Sequence, residues 1–118
     1  MALKILGIII ALHGLIHLLG FVNQTGIKKV KDFSGITLMP VSKTLSKIIG
    51  WFWLFTALLF VVSSVYLLEG NGFKLLIMIP AIVFSQLLII FYWKDAKAGT
   101  IANLIIVSGI FIFPSLIS

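Results

Sequence analysis

The chain has 118 residues, of which 61% are hydrophobic and 10% charged, with a formal net charge of +6 and no cysteine. Soluble domains usually contain about 45–50% apolar and about 25% charged residues, so this composition leaves too little polar surface for a soluble globule. A fibrous or disordered chain is excluded because there are no repeats or polar low-complexity tracts. Without cysteine there are no disulfides or thiolate metal sites.

Four uncharged apolar stretches predict four transmembrane helices. They cover residues 5–22, 48–68, 75–93 and 101–117. A bilayer core about 30 Å thick needs about 20 helical residues, and the stretches lack the alternating pattern of barrel strands. The sequence therefore predicts an all-α fold, a single domain forming an up-down-up-down four-helix transmembrane bundle. The first stretch is interpreted as a retained span, because it is too long for the apolar region of a signal peptide.

The connections between the stretches carry turn and helix-start signals. The link between the first two stretches is the longest, about 25 residues, and Ser42 after Pro40 is a candidate N-cap for the second helix. Its lysines and scattered apolar residues, Ile27, Val30, Phe33, Ile36 and Leu38, predict a segment lying on the membrane face. The residues 69–72 and 95–99 predict tight turns.

The lysines predict the orientation. Seven of them flank the first and third links (Lys28, Lys29, Lys31, Lys43, Lys47, Lys94 and Lys97), whereas Lys4 and Lys74 lie on the opposite side. By the positive-inside rule, we expect a multi-pass protein of the cell membrane with the lysine-rich loops in the cytosol and both termini outside. The net positive charge is then explained by the membrane topology and by contact of the lysines with anionic lipids. Nucleic-acid binding is disfavoured, since there is no arginine and the lysines only flank the spans.

Polar residues inside the spans are the candidate functional residues. His13 and His17 share one helix face, and ionisable residues inside a membrane usually face the bundle interior. At 1.5 Å per residue, His17, Gln86 and Asn103 lie at similar depths in the cytosolic half, with Asp95 just beyond them at the surface. These five residues predict either a hydrogen-bonded cluster or a small cavity open to the cytosol.

A purely structural role is the alternative for each of them. The histidines and Gln86 can hold helices together by hydrogen bonds. Asn103 can complete a helix start, with Thr100 as the N-cap, and Asp95 can pair with Lys94 or Lys97 in water.

The sequence lacks the residues that several kinds of functional site require. Two imidazoles leave a zinc site short of ligands, because no cysteine, third histidine or intramembrane carboxylate is present. Histidines on one face of one helix cannot hold a haem from both sides within a monomer. No nucleophile with a base and an orienting carboxylate lies at a plausible depth. The sequence therefore predicts no catalytic residues and no metal site, and it leaves the cofactor open.

Two functions remain. The first is an accessory or structural membrane subunit that packs against a second copy or a larger membrane complex. The second is a membrane-embedded binding or transport protein for a small apolar or protonatable ligand, which would use the His/Gln cluster. Small multidrug transporters are similar only in size, since their helix 1 carries a glutamate and this one carries histidines.

Motifs along nearly the whole chain resemble a group of uncharacterised prokaryotic four-helix integral membrane proteins. They are residues 13–21 (HGLIHLLGF), 40–43, Gly50 with Trp51, Trp53 with Leu54, Ser85 with Gln86, and 92–103 (YWKDAKAGTIAN). The resemblance implies a four-helix membrane module and names no activity.

Overall fold

The computed structural model describes residues 2–27, 34, 36–70 and 72–112. These residues form five α-helices: α1 (Ala2–Gln24), α2 (Lys43–Glu69), α3 (Lys74–Phe91), the single turn α4 (Trp93–Ala96) and α5 (Ala98–Ile112). The described chain has no strand, so the all-α prediction is confirmed. The expectations for Lys28, Lys29, Val30, Lys31, Phe33, Asn71 and residues 113–117 fall outside the described residues.

Three of the helices are long and apolar enough to cross a membrane, namely α1, α2 and α3. The described part of the fourth apolar stretch lies in α5, which has 15 residues and extends about 22 Å. The molecule is an elongated bundle measuring 43 × 21 × 20 Å.

The two ends of α2 follow the sequence signals. Ser42 has an extended backbone, and its hydroxyl accepts the backbone N–H of Leu45 at 3.1 Å, which confirms the predicted N-cap. Gly70 ends the helix in the left-handed conformation, at φ 73°. A residue without Cβ adopts this conformation at little cost, so Gly70 terminates α2.

A short helix follows α3 and connects it to α5. The helix α3 ends at Phe91, and the next residue, Tyr92, has φ −109° and ψ 39°. The following residues 93–96 form α4, and helix resumes at Ala98, so residues 95–99 are largely helical. Thr100 lies inside α5 and is therefore not its N-cap.

Glycines allow α1 and α2 to pack closely. A Cβ built on Gly7 would lie 2.9 Å from a methyl of Leu68, and one on Gly20 would lie 2.4 Å from the Trp53 ring. Rising residue numbers in α1 thus meet falling numbers in α2, which makes the two helices antiparallel. Small residues at helix interfaces are the usual means of close approach in membranes.

Contacts with α1 and α3 place α5 alongside both. Gly109 faces Leu6, and Gly99 lies between the side chains of Ile89 and His13. The helix therefore runs antiparallel to α1, with its start beside the middle of α1. This register brings the polar residues of α5 to the level of the two histidines.

Polar and apolar side chains are distributed as lipid, rather than water, would require. The exposed side chains of the spans are almost all apolar, among them Ile8, Ile16, Phe55, Leu76 and Leu104. The buried side chains include His13, His17, Thr56, Ser63, Ser85 and Asn103. A water-soluble fold of this size would bury the first set and expose the second.

Candidate functional site

Three helices bring polar side chains to one level of the bundle. Residues His13 and His17 come from α1, Ser85 from α3 and Asn103 from α5, and all four side chains are at least 96% buried. The histidines are one helical turn apart, so both rings lie on the same face of α1, and this face is buried. We call these four residues the polar cluster.

His17 links α1 to α3. Its Nδ1 lies 2.8 Å from the carbonyl oxygen of His13, and its Nε2 lies 2.9 Å from the Ser85 hydroxyl. Because a carbonyl oxygen only accepts, Nδ1 carries the hydrogen. In a neutral ring Nε2 then accepts the hydrogen of Ser85.

Asn103 links α5 to both other helices. Its side-chain oxygen lies 2.8 Å from Nε2 of His13, and its nitrogen donates to the hydroxyl of Ser85 at 3.1 Å and to the side-chain oxygen of Gln86 at 3.0 Å. The two hydrogens and the oxygen of the amide are therefore all used. Nε2 of His13 must be the donor to that oxygen, so the two histidines carry their hydrogens on different ring nitrogens.

Gln86 extends the cluster at its partly exposed edge. Its amide nitrogen donates to the Thr100 hydroxyl at 3.1 Å. The helix-start roles considered for Asn103 and Thr100 are thus replaced by bonds between α3 and α5.

Aromatic rings of α2 close the cluster from the fourth side. The ring of Phe60 lies 4.9 Å from that of His13 and 5.3 Å from that of His17, and the Trp53 ring lies 5.2 Å from that of His17. Phe60 is fully buried and Trp53 is 4% exposed. These rings exclude solvent, which strengthens the hydrogen bonds beside them.

Asp95, the fifth predicted site residue, makes its hydrogen bonds elsewhere. Its carboxylate accepts the backbone N–H and the hydroxyl of Ser34, both at 2.8 Å. Close by, the backbone N–H of Leu38 donates to the carbonyl of Phe91 at 2.9 Å, where α3 ends. Asp95 therefore helps to hold the first loop over the corner between α3 and α4.

A second group of polar side chains, which the sequence reasoning did not identify, joins the ends of α1, α2 and α3. The oxygen of the Gln24 side chain accepts the Tyr92 hydroxyl at 3.0 Å and also the Ser46 hydroxyl. Tyr92 is fully buried, and its ring meets that of Trp53 edge to face at 5.5 Å. This group lies at the lysine-bearing ends of the helices, outside the polar cluster.

The side chains of the polar cluster are better suited to hydrogen bonding between helices than to binding a metal ion. Among the residues described here, no three His, Cys, Asp or Glu side chains lie together as a metal site would require. Each donor hydrogen of the two imidazoles, the Ser85 hydroxyl and the Asn103 amide has an acceptor within the chain.

The function is therefore inferred from the geometry of the polar cluster and from the helix surfaces. No protein-family model, curated protein or solved structure matches this chain.

Proposed function

We propose that this protein is an accessory or structural subunit of a membrane assembly, which acts through its helix surfaces. The observation that carries the proposal is the polar cluster, which ties α1, α3 and α5 by hydrogen bonds made wholly within the chain. In lipid there is little hydrophobic drive between helices, so such bonds and close packing fix their arrangement. A chain so fixed presents rigid apolar faces to partners.

The proposal includes a four-span topology in the cell membrane, with both termini outside. Lys43, Lys47, Lys94 and Lys97 lie at one end of the helices, and Lys4 and Lys74 mark the opposite end. This distribution supports cytosolic placement of the lysine-rich end, where the charges would contact anionic lipids rather than nucleic acid. The resemblance to four-helix prokaryotic membrane proteins implies the same number of spans.

Cysteine labelling tests this topology cleanly, since the chain has no cysteine of its own. Thr44 and Gly72 are both exposed and lie at opposite ends of α2. In intact cells, a membrane-impermeant maleimide is expected to label Gly72→Cys, and to label Thr44→Cys only after permeabilisation. The reverse pattern would invert the topology and leave the fold unchanged.

A double variant separates the structural proposal from the ligand-binding one. With His13→Gln and His17→Gln together, amide groups replace the imidazoles, and we expect a stability loss of about 1 kcal/mol because some hydrogen bonds are lost. Native mass spectrometry in lipid nanodiscs is expected to show the same bound small molecules before and after the change.

The opposite result would favour the alternative function, binding or transport of a small apolar or protonatable ligand. In that result, a small molecule binds one to one to the unaltered chain and is absent from a double variant that is still folded. The buried histidines are the observation in favour of this alternative. Against it, the donor hydrogens of both imidazoles already have acceptors within the chain, the side-chain oxygen of Asn103 and the backbone oxygen of His13.

A further inference from the structure

One lysine at the end of the bundle opposite the lysine-rich end is buried. Lys74, the first residue of α3, is only 7% exposed. The other lysines in the described part of the chain are all exposed: Lys4, Lys43, Lys47, Lys94 and Lys97. A lysine is almost never buried to this extent without a partner, so the surroundings of Lys74 indicate whether an anion belongs there.

Lys74 continues the interior face of α3. It lies one helical turn before Met78, and both belong to the buried face of this helix, as does Ser85. Met78 is part of the apolar core to which α1, α2 and α5 also contribute. Because side chains in a helix lean toward its N-terminus, the Lys74 side chain extends from this core toward the open end of the bundle.

The Lys74 ammonium group has no partner within the described chain. It makes neither a hydrogen bond nor an ion pair there, although Glu69 precedes it by only five residues and is exposed. The ammonium nitrogen is not enclosed by protein atoms. The stem of the side chain is therefore buried while the charge reaches the surface, where a group from outside the chain can meet it.

The first turn of α3 adds further hydrogen-bond donors at the same place. Its N-cap residue, Phe73, has no side-chain acceptor, and the first backbone bond of the turn runs from the N–H of Ile77 to the carbonyl of Phe73 at 3.3 Å. The N–H groups of residues 74–76 thus have no acceptor among the described residues. At the start of α2, by contrast, Ser42 supplies a cap. Free N–H groups at a helix start beside a cation form a site that favours a phosphate.

The depth of this turn matches that of lipid phosphates. With 18 residues, α3 extends about 27 Å, close to the thickness of about 30 Å of a bilayer core. Its first residue therefore reaches the headgroup layer. Phe73 and Leu76, on either side of Lys74, are apolar and 62% and 66% exposed, so hydrocarbon covers them.

We propose that Lys74 and the first turn of α3 bind the phosphate group of one phospholipid, whose tails lie over Phe73 and Leu76. The ammonium and the free N–H groups donate to the phosphate oxygens. A carboxylate on another membrane protein supplies an anion without the adjoining tails, so it matches this surface less well. The site lies away from the lysine-rich end, and it does not depend on the proposed accessory function.

Photochemical cross-linking to the full chain in lipid vesicles locates the lipid. The probe is phosphatidylglycerol with a photoreactive group beside its phosphate, and peptide mapping is expected to find the label on residues 69–76. Lys74→Met keeps an unbranched stem and removes the charge. It is expected to raise the lipid fraction that half-saturates this labelling about 10- to 100-fold, because a hydrogen-bonded charge is lost.

Two further variants control for general effects of charge. Lys74→Arg keeps a cation and is expected to keep the label at residues 69–76. Lys4→Met removes an exposed lysine from the same end of the bundle and is expected to change half-saturation by less than about fivefold. In micelles without phospholipid, Lys74→Met is expected to be at least as stable as the unaltered chain, since it breaks no ion pair.

Four results would overturn the proposal. They are equal losses of label for Lys74→Met and Lys4→Met, an unchanged label in Lys74→Met, displacement of the label by inorganic phosphate, and carbodiimide coupling of Lys74 to a carboxylate of another protein. The first two remove the phosphate site, the third assigns it to a soluble anion, and the fourth assigns Lys74 to a protein partner. Each of them leaves the helix-joining role of the polar cluster standing.

Discussion

Replacing Asn103 by leucine is expected to lower the free energy of unfolding by about 2 kcal/mol. The amide bonds to His13, Ser85 and Gln86, and hydrogen bonds between membrane helices average about 0.6 kcal/mol each. Leucine has a similar size, so the loss reports the bonds more than the packing. Reversible unfolding in mixed detergent and lipid micelles measures it.

Thr56→Val is the matched control for this experiment. Thr56 is fully buried, but its hydroxyl bonds only to the Phe52 carbonyl in its own helix. Its replacement by an isosteric side chain is expected to change stability by less than about 0.5 kcal/mol. Equal losses for the two variants would show that the polar cluster does not hold the helices together.

Depth along each helix groups His17, Gln86 and Asn103 at one level, with His13 one helical turn farther from the cytosolic end. In the structure Asn103 bonds directly to His13 and Gln86, and His17 joins them through Ser85. Asp95 is predicted just beyond that level at the surface, and depth alone does not tell in which direction its side chain points. It lies beyond the end of α3, where it bonds to the first loop.

The polar residues that the sequence did not indicate are either small or of a type with more than one common role in membrane helices. Ser85 bonds to both His17 and Asn103, yet a serine in an apolar stretch gives no signal of whether it bonds to its own helix or to a neighbour. Tyrosine is common at membrane boundaries, so the sequence does not indicate that the buried hydroxyl of Tyr92 bonds to Gln24 where the ends of three helices pack together.

The helices themselves were predictable because apolar length and caps are local features. Ser42 and Gly70 mark the ends of α2 by their own chemistry. The break at Tyr92 has no such mark, since neither proline nor glycine lies there. The ring of Tyr92 is buried against Trp53, a tertiary contact that the sequence alone does not show.

Gly14→Ala is expected to destabilise the bundle by about 2 kcal/mol. The new Cβ would lie 2.7 Å from the Cβ of Phe60 and 3.1 Å from the backbone oxygen of Ala57. Neither atom can move without shifting α2, and overpacking of this kind costs about 1–3 kcal/mol. The same micelle unfolding assay measures the change, and the rings of His13 and His17 are expected to shift because Phe60 packs on both.

Gly7→Ala separates this steric effect from the helix preference of alanine. Alanine favours a helix interior over glycine by about 1 kcal/mol, and at Gly7 the new Cβ meets the methyl end of Leu68, which can rotate away. We therefore expect Gly7→Ala to be nearly neutral although both glycines face α2. If the two variants had equal stability, the separation of α1 and α2 would not be set by backbone contact at Gly14, and the antiparallel pair would have to be held mainly by its side chains.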